Sequence, residues 1–362
     1  MNELFQPLAL PRGPSMKNRF MLAPMTNTQS HEDGCLSDEE YRWLTMRAKG
    51  GFGLTMTCAA HVQPNGKGFP GQLGIFSDDH LPGLRKLASG ICREQSLAVV
   101  QLHHAGMRSP ADLIGTQPVC PSDDNETQSR SLSHSEVHEV IEDFVAAAIR
   151  ADQAGFDGVE VHGAHGYLLT QFLSAETNRR TDEFGGTFGN RMAVLLKIIE
   201  GIRSGCRKDF ILGVRISPER YGLQLEEMIQ LSQKLLTDSR LDFLDVSLWD
   251  FRKEPENPAF QGRTLMSYFT NLERGLVSLG AAGGIRTPDD ARQALQLGLD
   301  WVMLGKAAIL HHDFPNQCLN NPNFTPVQTP VSRNYLKSQG LSEDFIDYMA
   351  RWPDFVKSTQ GN

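Results

Sequence analysis

Two imidazoles and one phenol lie close together in the middle of the chain: His162, His165 and Tyr167. Two ring N–H donors at this spacing could meet one substrate oxygen, and a phenol, whose ordinary pKa is about 10, could deliver a proton to a carbanion-like carbon. A histidine pair could also bind a metal, but Gly163 and Gly166 break the helix that would align the two rings, so we expect no metal here. The structural alternative is that Tyr167 begins a helix and packs.

Glycines near the end of the chain indicate a phosphate site. Gly283 and Gly284 precede a helix start at Thr287-Pro288, and Gly305 is followed by Lys306. Glycines let backbone N–H groups approach a phosphate, and the dipole of a helix start favours an anion. In α/β barrels the loops after the seventh and eighth strands commonly hold phosphate. We therefore expect a phosphate-bearing ligand.

Two polar residues fall inside apolar runs. Gln101 can both donate and accept, which suits a heterocycle with an N–H beside a C=O, although a buried amide satisfied by backbone is an equal alternative. Arg215 must meet a negative partner, which could be a ligand or a carboxylate of the barrel such as Asp245.

Eight short apolar runs, each followed by a helix-like stretch, must position these residues. They are continuous rather than alternating, which is typical of parallel strands buried on both faces. This alternation predicts an α/β fold, a single-domain (β/α)8 TIM barrel with loop insertions on its C-terminal face. An open doubly wound sheet is the alternative, but no G-x-G-x-x-G follows the first strand. The predicted strands are Arg19–Ala23, Gly53–Thr57, Leu97–Leu102, Gly158–Val161, Ile211–Ile216, Phe243–Ser247, Leu276–Leu279 and Trp301–Leu304.

Amphipathic stretches and long connections complete the plan. We expect residues 1–315 to form the barrel, and residues 316–362 to form an extension with a short helix, packed on the barrel or on a neighbour. Glycine-rich 64–80 and the Pro/Ser/Asp-rich 108–133 would cover the active face. Predicted helices cover Val137–Ala154, Asn190–Ser204, Leu225–Ser239, Pro288–Leu297 and Ser342–Met349.

Composition excludes several classes of protein. A net charge of -8 without a lysine/arginine block makes nucleic acid and anionic membranes poor partners. The chain lacks an apolar run of membrane-spanning length, and its start does not have the pattern of a signal peptide. Six scattered cysteines without C-x-x-C are typical of reduced thiols. We expect a cytoplasmic enzyme with a small-molecule substrate, and leave open whether it forms a homo-oligomer.

Three motifs, in order along the chain, resemble those of the old yellow enzyme family, the FMN-containing ene-reductases and NADH:flavin oxidoreductases. The resemblance extends from about Leu4 to Pro315. The motifs are Ala23-Pro24-Met25-Thr26, then Gln101-Leu102-His103-His104-Ala105-Gly106, then the run from Gly155 to Tyr167, which continues through Asn178–Gly186 to Asn190-Arg191.

The resemblance implies FMN as cofactor, with NADH or NADPH as reductant, and reduction of electron-poor C=C bonds in enones, with nitro-compounds and quinones as further acceptors. Hydride would come from flavin N5 and a proton from Tyr167, while His162 and His165 would bind the substrate oxygen. Arg215 would lie near flavin N1 and the C2 carbonyl, and Gln101 would contact the pyrimidine edge. The residues implied to bind the cofactor are Ala23, Pro24, Met25, Thr26, Ala59, Gln101, Arg215, Gly283, Gly284, Gly305 and Lys306.

Departures from the family pattern concern the substrate rather than the cofactor. Lys306 stands where arginine is commoner, and Cys58 where many relatives carry an acid. Two rival functions stay open: a phosphate-binding aldolase or isomerase without flavin, and an FMN-binding barrel without turnover. The choice between NADH and NADPH, and the natural substrate, are not fixed by the motifs.

Overall fold

Eight parallel strands close into a barrel in the computed structural model, which describes residues 3–358. Each strand pairs with its neighbours in the chain, and the first pairs with the last, so the predicted TIM barrel is confirmed. The strands are β1 Phe20–Leu22, β2 Leu54–His61, β3 Leu97–His103, β4 Gly158–Gly163, β5 Ile211–Ile216, β6 Phe243–Ser247, β7 Ser278–Ala282 and β8 Trp301–Leu304.

The predicted bounds of the seventh strand shift at both ends. It begins at Ser278 rather than Leu276, because Leu276 is 84% exposed and lies outside the barrel wall. The apolar character of Leu276 misled the prediction, since one exposed leucine is compatible with a loop.

Helices cover the outside of the barrel. The five predicted helices are confirmed within a few residues, except that Asn190–Ser204 is divided at Met192. The helices are α1 Asp38–Lys49, α2 Leu81–Cys92, α3 Ala111–Ile114, α4 His134–Gln153, α5 Leu168–Leu173, α6 Phe188–Arg191, α7 Ala193–Gly205, α8 Leu225–Leu236, α9 Ser267–Thr270, α10 Pro288–Gln296, α11 Lys306–Leu310, α12 Phe314–Asn320, α13 Arg333–Ser338 and α14 Glu343–Ala350. Short 3-10 turns occur at Glu3–Phe5, Pro64–Gly66, Asp78–His80, Gly106–Arg108 and Pro258–Phe260.

An apolar layer fills the amino-terminal half of the barrel. Phe243 and Trp301 meet edge to face with ring centroids 5.8 Å apart. Glycines on adjacent strands make room for them: a Cβ on Gly213 would lie 2.0 Å from the Phe243 ring, and one on Gly280 would lie 2.1 Å from Trp301. The histidines of the barrel strands lie at their carboxyl ends, at His61, His103 and His162.

The extension after residue 315 packs against the barrel within the same chain. Phe345 of α14 is fully buried, and its ring centroid lies 4.8 Å from that of Trp43 in α1. Arg47 of α1 also donates from Nη2 to the Gln339 carbonyl over 2.8 Å. Residues 359–362 of the predicted extension lie outside the described residues. Within the described residues, none of the helices has both the length and the apolar character that a bilayer crossing requires.

Candidate active site

A cavity of about 540 Å³ opens at the carboxyl ends of the strands. Four of its lining side chains are cationic, and none of the described residues that line it is acidic. Such a cavity is complementary to an anionic ligand. Its lining comprises Ala23, Pro24, Met25, Arg108, His165, Tyr167, Arg215, Tyr221, Ser247, Leu248, Trp249, Ala282, Gly283, Gly284, Ile285, Arg286, Met303, Gly305, Lys306 and Trp352.

A second compartment of about 510 Å³ adjoins the first. The two share Pro24, Met25, His165, Arg286, Lys306 and Trp352. Thr26 lines the second compartment, as do several residues of the C-terminal extension, among them Tyr348, Met349 and Phe355. The extension thus forms part of the wall of this chain's own site.

The glycine-rich loops after β7 and β8 form one end of the cavity. Gly284 adopts φ +66, and a Cβ on Gly283 would lie 2.4 Å from the Leu248 carbonyl oxygen, so side chains are excluded at both positions. Lys306 contacts the Thr329 hydroxyl at 3.2 Å, and neither it nor Arg286 has an acidic partner among the described residues. Partial burial and then the charge of Arg286 lower the pKa of Lys306. Two unpaired cations beside a glycine loop are suited to a phosphate.

The start of α10 contributes less to this end than the sequence suggested. The Asp290 carboxylate accepts from the backbone N–H groups of Arg286 and Thr287 at 2.8 and 2.9 Å. Thr287 caps the helix in return through Asp290 N. Because the helix satisfies these donors internally, an anion here would depend on the glycine loops and on the side chains of Arg286 and Lys306.

Arg215 lies at the centre of the cavity floor, beside a carboxylate. Its Nε is 2.8 Å from Asp245 Oδ2, although the N–H is not aligned for a hydrogen bond, and its Nη2 donates to Ser247 Oγ at 3.3 Å. Arg215 is therefore paired with a carboxylate of the barrel, and it also lines the cavity, where a ligand could meet it.

Below Arg215 lies a second buried carboxyl, Glu160. It accepts from Gln101 Nε2 at 2.7 Å, and its Oε2 has no hydrogen-bond partner among the described residues. Burial, and then the charge of Asp245, raise the pKa of Glu160 to about 8, whereas burial raises that of Asp245 to about 6. Burial and the proximity of the two carboxyls both oppose ionisation of the pair, so we expect one of them to hold a proton at neutral pH.

The turn after β4 brings His162, His165 and Tyr167 together. His165 has φ +63 and Gly166 φ +73, so two consecutive residues of the turn adopt the left-handed conformation. His165 Nδ1 lies 3.3 Å from His162 Nε2, and His165 Nε2 lies 2.7 Å from Ser247 Oγ. His162, His165 and Ser247 thus form a line of polar groups, and Ser247 in turn contacts Arg215.

Electrostatics keep both imidazoles neutral. Burial, followed by the charges of Arg215 and Arg108, lowers the pKa of His165 to about 3, and burial also lowers that of His162. A neutral imidazole has one N–H to donate, so these rings can polarise an oxygen without carrying a charge. His165 lines both compartments, and His162 lies behind it with its Nδ1 buried and unpartnered among the described residues.

Tyr167 lines the same cavity. Its ring meets His103 edge to face at 4.4 Å, and the Arg108 guanidinium lies 4.7 Å from the ring centroid. Arg108 also donates to the His165 carbonyl. Burial raises the pKa of Tyr167, so the phenol keeps its proton at neutral pH.

Most of the residues named from the sequence line this cavity, Thr26 lines the adjoining compartment, and three line neither. His162 and Gln101 lie behind the lining residues, and Ala59 lies half-buried on β2. The roles of all of these residues stay predictions.

Several residues of the site were not selected from the sequence. Ser247 ends β6 and Arg286 lies in the loop after β7. Because active sites of such barrels lie at the carboxyl ends of the strands, both could have been found from the sequence. Arg108, Trp249 and Trp352 gave no local signal, because only the folded chain brings them to the cavity.

The cavity fits a flavin mononucleotide. Arg286, Lys306 and the glycine loops would hold the phosphate, and Arg215 offers a buried positive charge where a reduced ring would need one. None of the described strands contains a lysine that could form a Schiff base, as an aldolase would require.

Comparison with known proteins gives the same assignment. The family model for the NADH:flavin oxidoreductase / NADH oxidase family matches residues 3–322. The chain is 39% identical over 318 residues to a probable NADH-dependent flavin oxidoreductase of Bacillus subtilis, YqiG, covering 85% of both chains. It is 32% identical to the NADH:acrylate oxidoreductase of Vibrio harveyi, of which it spans 36%.

A solved structure extends the likeness to the fold. The old yellow enzyme homologue from Zymomonas mobilis is 26% identical and superimposes with a TM-score of 0.78, covering 92% of this chain and 98% of that one. The family match rules out the alternative of a phosphate-binding aldolase or isomerase without flavin. The chain therefore belongs to the NADH:flavin oxidoreductase / NADH oxidase family, the family of old yellow enzyme, and is an FMN-dependent NAD(P)H oxidoreductase.

Proposed function

We propose that this oxidoreductase reduces electron-poor C=C bonds, those of enones first, with nitro-compounds and quinones as further acceptors. FMN, when bound, supplies the hydride chemistry between NADH or NADPH and the acceptor, through N5 of its ring. The chain supplies position, polarisation and a proton. The observation that carries the proposal is that His165 and Tyr167, from one turn, line the same cavity as the glycine loops after β7 and β8.

Cofactor binding is divided between two regions of the cavity. Gly283, Gly284, Gly305 and Lys306 would hold the phosphate, with Arg286 added. Arg215 and Gln101 would contact the polar edge of the ring. Ala23, Pro24, Met25, Thr26 and Ala59 would flank the ring itself.

His162 and His165 would bind the carbonyl or nitro oxygen of the acceptor. Their neutral rings are held in line by Ser247, which lies 2.7 Å from His165. A hydrogen bond to the oxygen withdraws electron density from the double bond, and it strengthens as negative charge develops on that oxygen. Both ring nitrogens of His165 face protein partners in this structure, so the ring would exchange one of them for the substrate oxygen.

Tyr167 would donate its phenolic proton to the carbon next to the polarised group. Its raised pKa keeps the proton on the oxygen until a basic carbon is formed. The neighbouring Arg108 lowers the cost of the phenolate that remains. Solvent would then restore the proton.

An anaerobic stopped-flow experiment separates the two halves of the reaction. Enzyme reduced by NADH or NADPH is mixed with 2-cyclohexenone, and flavin absorbance is followed. We expect Tyr167→Phe to slow reoxidation by the enone about 100-fold, and to slow reduction by the nicotinamide far less. Equal loss in both halves would refute the proton-donor role.

Tyr221→Phe is the matched control, because Tyr221 is a second phenol in the lining of the same cavity. Its effect on reoxidation should be much smaller than that of Tyr167→Phe. If wild-type enzyme reduced by nicotinamide is not reoxidised by any enone, nitro-compound or quinone, the proposed function is wrong.

A further inference from the structure

We propose that His134, His138 and Glu183 form a binding site for one divalent transition-metal ion, with Zn²⁺ as the best-suited ion. The three residues lie outside the cavity described above, at the first turn of α4 and in the connection between α5 and α6. The sequence did not indicate the site, because Glu183 is far from the two histidines along the chain.

The geometry converges on one point. His134 and His138 are four positions apart on α4 and share one face, with ring centroids 4.9 Å apart. Glu183 Oε1 lies 2.8 Å from His134 Nε2. One ligand atom from each of the three residues falls within 4.8 Å of the other two. Ligands in a tetrahedral zinc site lie roughly 3.3 Å apart, so small side-chain rotations would complete the site.

His138 offers ring nitrogens that are available to an ion. The hydrogen bond between His134 and Glu183 satisfies those two residues without any metal. His138 is half-buried beside them, and its ring nitrogens have no hydrogen-bond partner among the described residues. Neither nitrogen is among the buried atoms that lack a partner, so an ion can approach the ring from solvent.

The backbone that carries the ligands is firmly held. Phe184, next to Glu183, is fully buried, and its ring lies 5.6 Å from His134 and 5.3 Å from His138. Asn178 Nδ2 donates to the Phe184 carbonyl at 2.7 Å. The site therefore joins two anchored segments, and an ion bound there would link α4 to the connection after α5.

The ligand set indicates the class of ion. Two imidazoles and one carboxylate suit Zn²⁺, Cu²⁺ or Ni²⁺, whereas Mg²⁺ and Ca²⁺ prefer oxygen ligands. The position of His134 at the start of α4 disfavours a cation, because the helix amino terminus is positively polarised. The Glu183 carboxylate offsets this, and solvent water can occupy the fourth position because the His134 and Glu183 side chains are 55% and 54% exposed.

Isothermal titration with ZnCl₂ tests the proposal on untagged, FMN-loaded enzyme. We expect one saturable site with a micromolar dissociation constant, and affinity lowered about tenfold or more in His138→Gln and in Glu183→Gln. MgCl₂ should give no saturable binding. Hydrogen exchange should show that Zn²⁺ protects residues 178–186 in wild type and not in His138→Gln.

Two control variants separate this site from histidine chelation in general. His31→Gln removes an exposed histidine elsewhere and should leave the affinity unchanged. The double variant His138→Gln/Glu139→His keeps the number of histidines but moves one off the shared face, and should bind as weakly as His138→Gln. Flavin absorbance and circular dichroism confirm folding in each case. Absence of saturable Zn²⁺ binding to wild type, or equal affinity in wild type, His138→Gln and Glu183→Gln, would overturn the proposal.

Discussion

Nε of Arg215 lies 2.8 Å from Oδ2 of Asp245, and both side chains are buried beneath the cavity. A third group, Glu160, lies nearby, and the charge of Asp245 adds to burial in raising its pKa. One positive charge thus faces two carboxyls, and we expect one of the two to be protonated at neutral pH. This arrangement leaves the floor of the site close to neutral while presenting a guanidinium to the ligand.

The two carboxyls should differ in their contribution to stability. Asp245→Asn leaves the Arg215 charge buried without its partner, and we expect it to lower the free energy of unfolding by about 3 kcal/mol. Glu160→Gln replaces a neutral acid with a neutral amide of similar shape, and should cost less than about 1 kcal/mol. Urea unfolding at pH 7 with a fixed excess of FMN measures both. Similar losses in the two variants would contradict a protonated Glu160 beside an ionised Asp245.

The pH dependence of stability tests the direction of the pKa shift of Glu160. The raised pKa of Glu160 means that the folded protein holds a proton that the unfolded chain releases, so its contribution is lost as pH rises towards 8. The buried histidines have lowered pKa values, so they reduce stability as pH falls, and they do so only below about pH 6.5. Between pH 6.5 and 8, wild type should lose stability by at most about 1.4 kcal/mol per pH unit, and Glu160→Gln should show a flatter curve.

Phosphate recognition should depend on the two unpaired cations. We expect Arg286→Gln and Lys306→Gln each to weaken FMN binding about 10- to 100-fold, since a charged hydrogen bond is worth about 1.5–3 kcal/mol. Riboflavin lacks the phosphate, so its affinity should change little, and Lys306→Arg should retain FMN. Fluorescence titration of the apoprotein with FMN and with riboflavin gives the ratio of the two affinities for each variant. A parallel loss for riboflavin would place these residues outside the phosphate site.

His165 should control binding of phenols, which mimic a substrate oxygen. His165→Ala removes the donor that lines the cavity, and His162→Ala removes its neighbour, so both should weaken phenol binding to the oxidised enzyme. Ser247→Ala should give a smaller loss through misplacement of His165. Because the pKa of His165 is about 3, protonation of this ring should not change the wild-type affinity between pH 5 and 8. Spectral titration of the flavin measures this, and unchanged affinity in both histidine variants would remove their assignment.

We propose that the C-terminal extension is an integral part of the barrel. Phe345 is fully buried against Trp43, so Phe345→Ala should lower the free energy of unfolding by about 3–5 kcal/mol. Leu319, also in the extension but 58% exposed, gives the control, since Leu319→Ala should change stability by less than about 0.5 kcal/mol. Thermal or urea unfolding distinguishes the two. An independent low-stability transition for the extension would argue against integration.

The sequence by itself determined the barrel and the position of the site. Continuous apolar runs such as Ile211–Ile216 specify buried parallel strands, and glycines such as Gly283 and Gly284 specify a loop that an anion can approach. Both signals are local, because they depend on the residue and its immediate neighbours. The turn that carries His162, His165 and Tyr167 could be found for the same reason.

Which side chains contact each other in the site was decided by the tertiary structure alone. Whether Arg215 meets Asp245, whether Ser247 reaches His165, and which side of the cavity Trp352 covers depend on strand register and barrel closure. The proton on Glu160 depends on burial beside another carboxyl, which follows from packing between β4, β5 and β6. Contacts between residues far apart in the chain leave no local pattern in the sequence, since they are selected by the free energy of packing the entire fold.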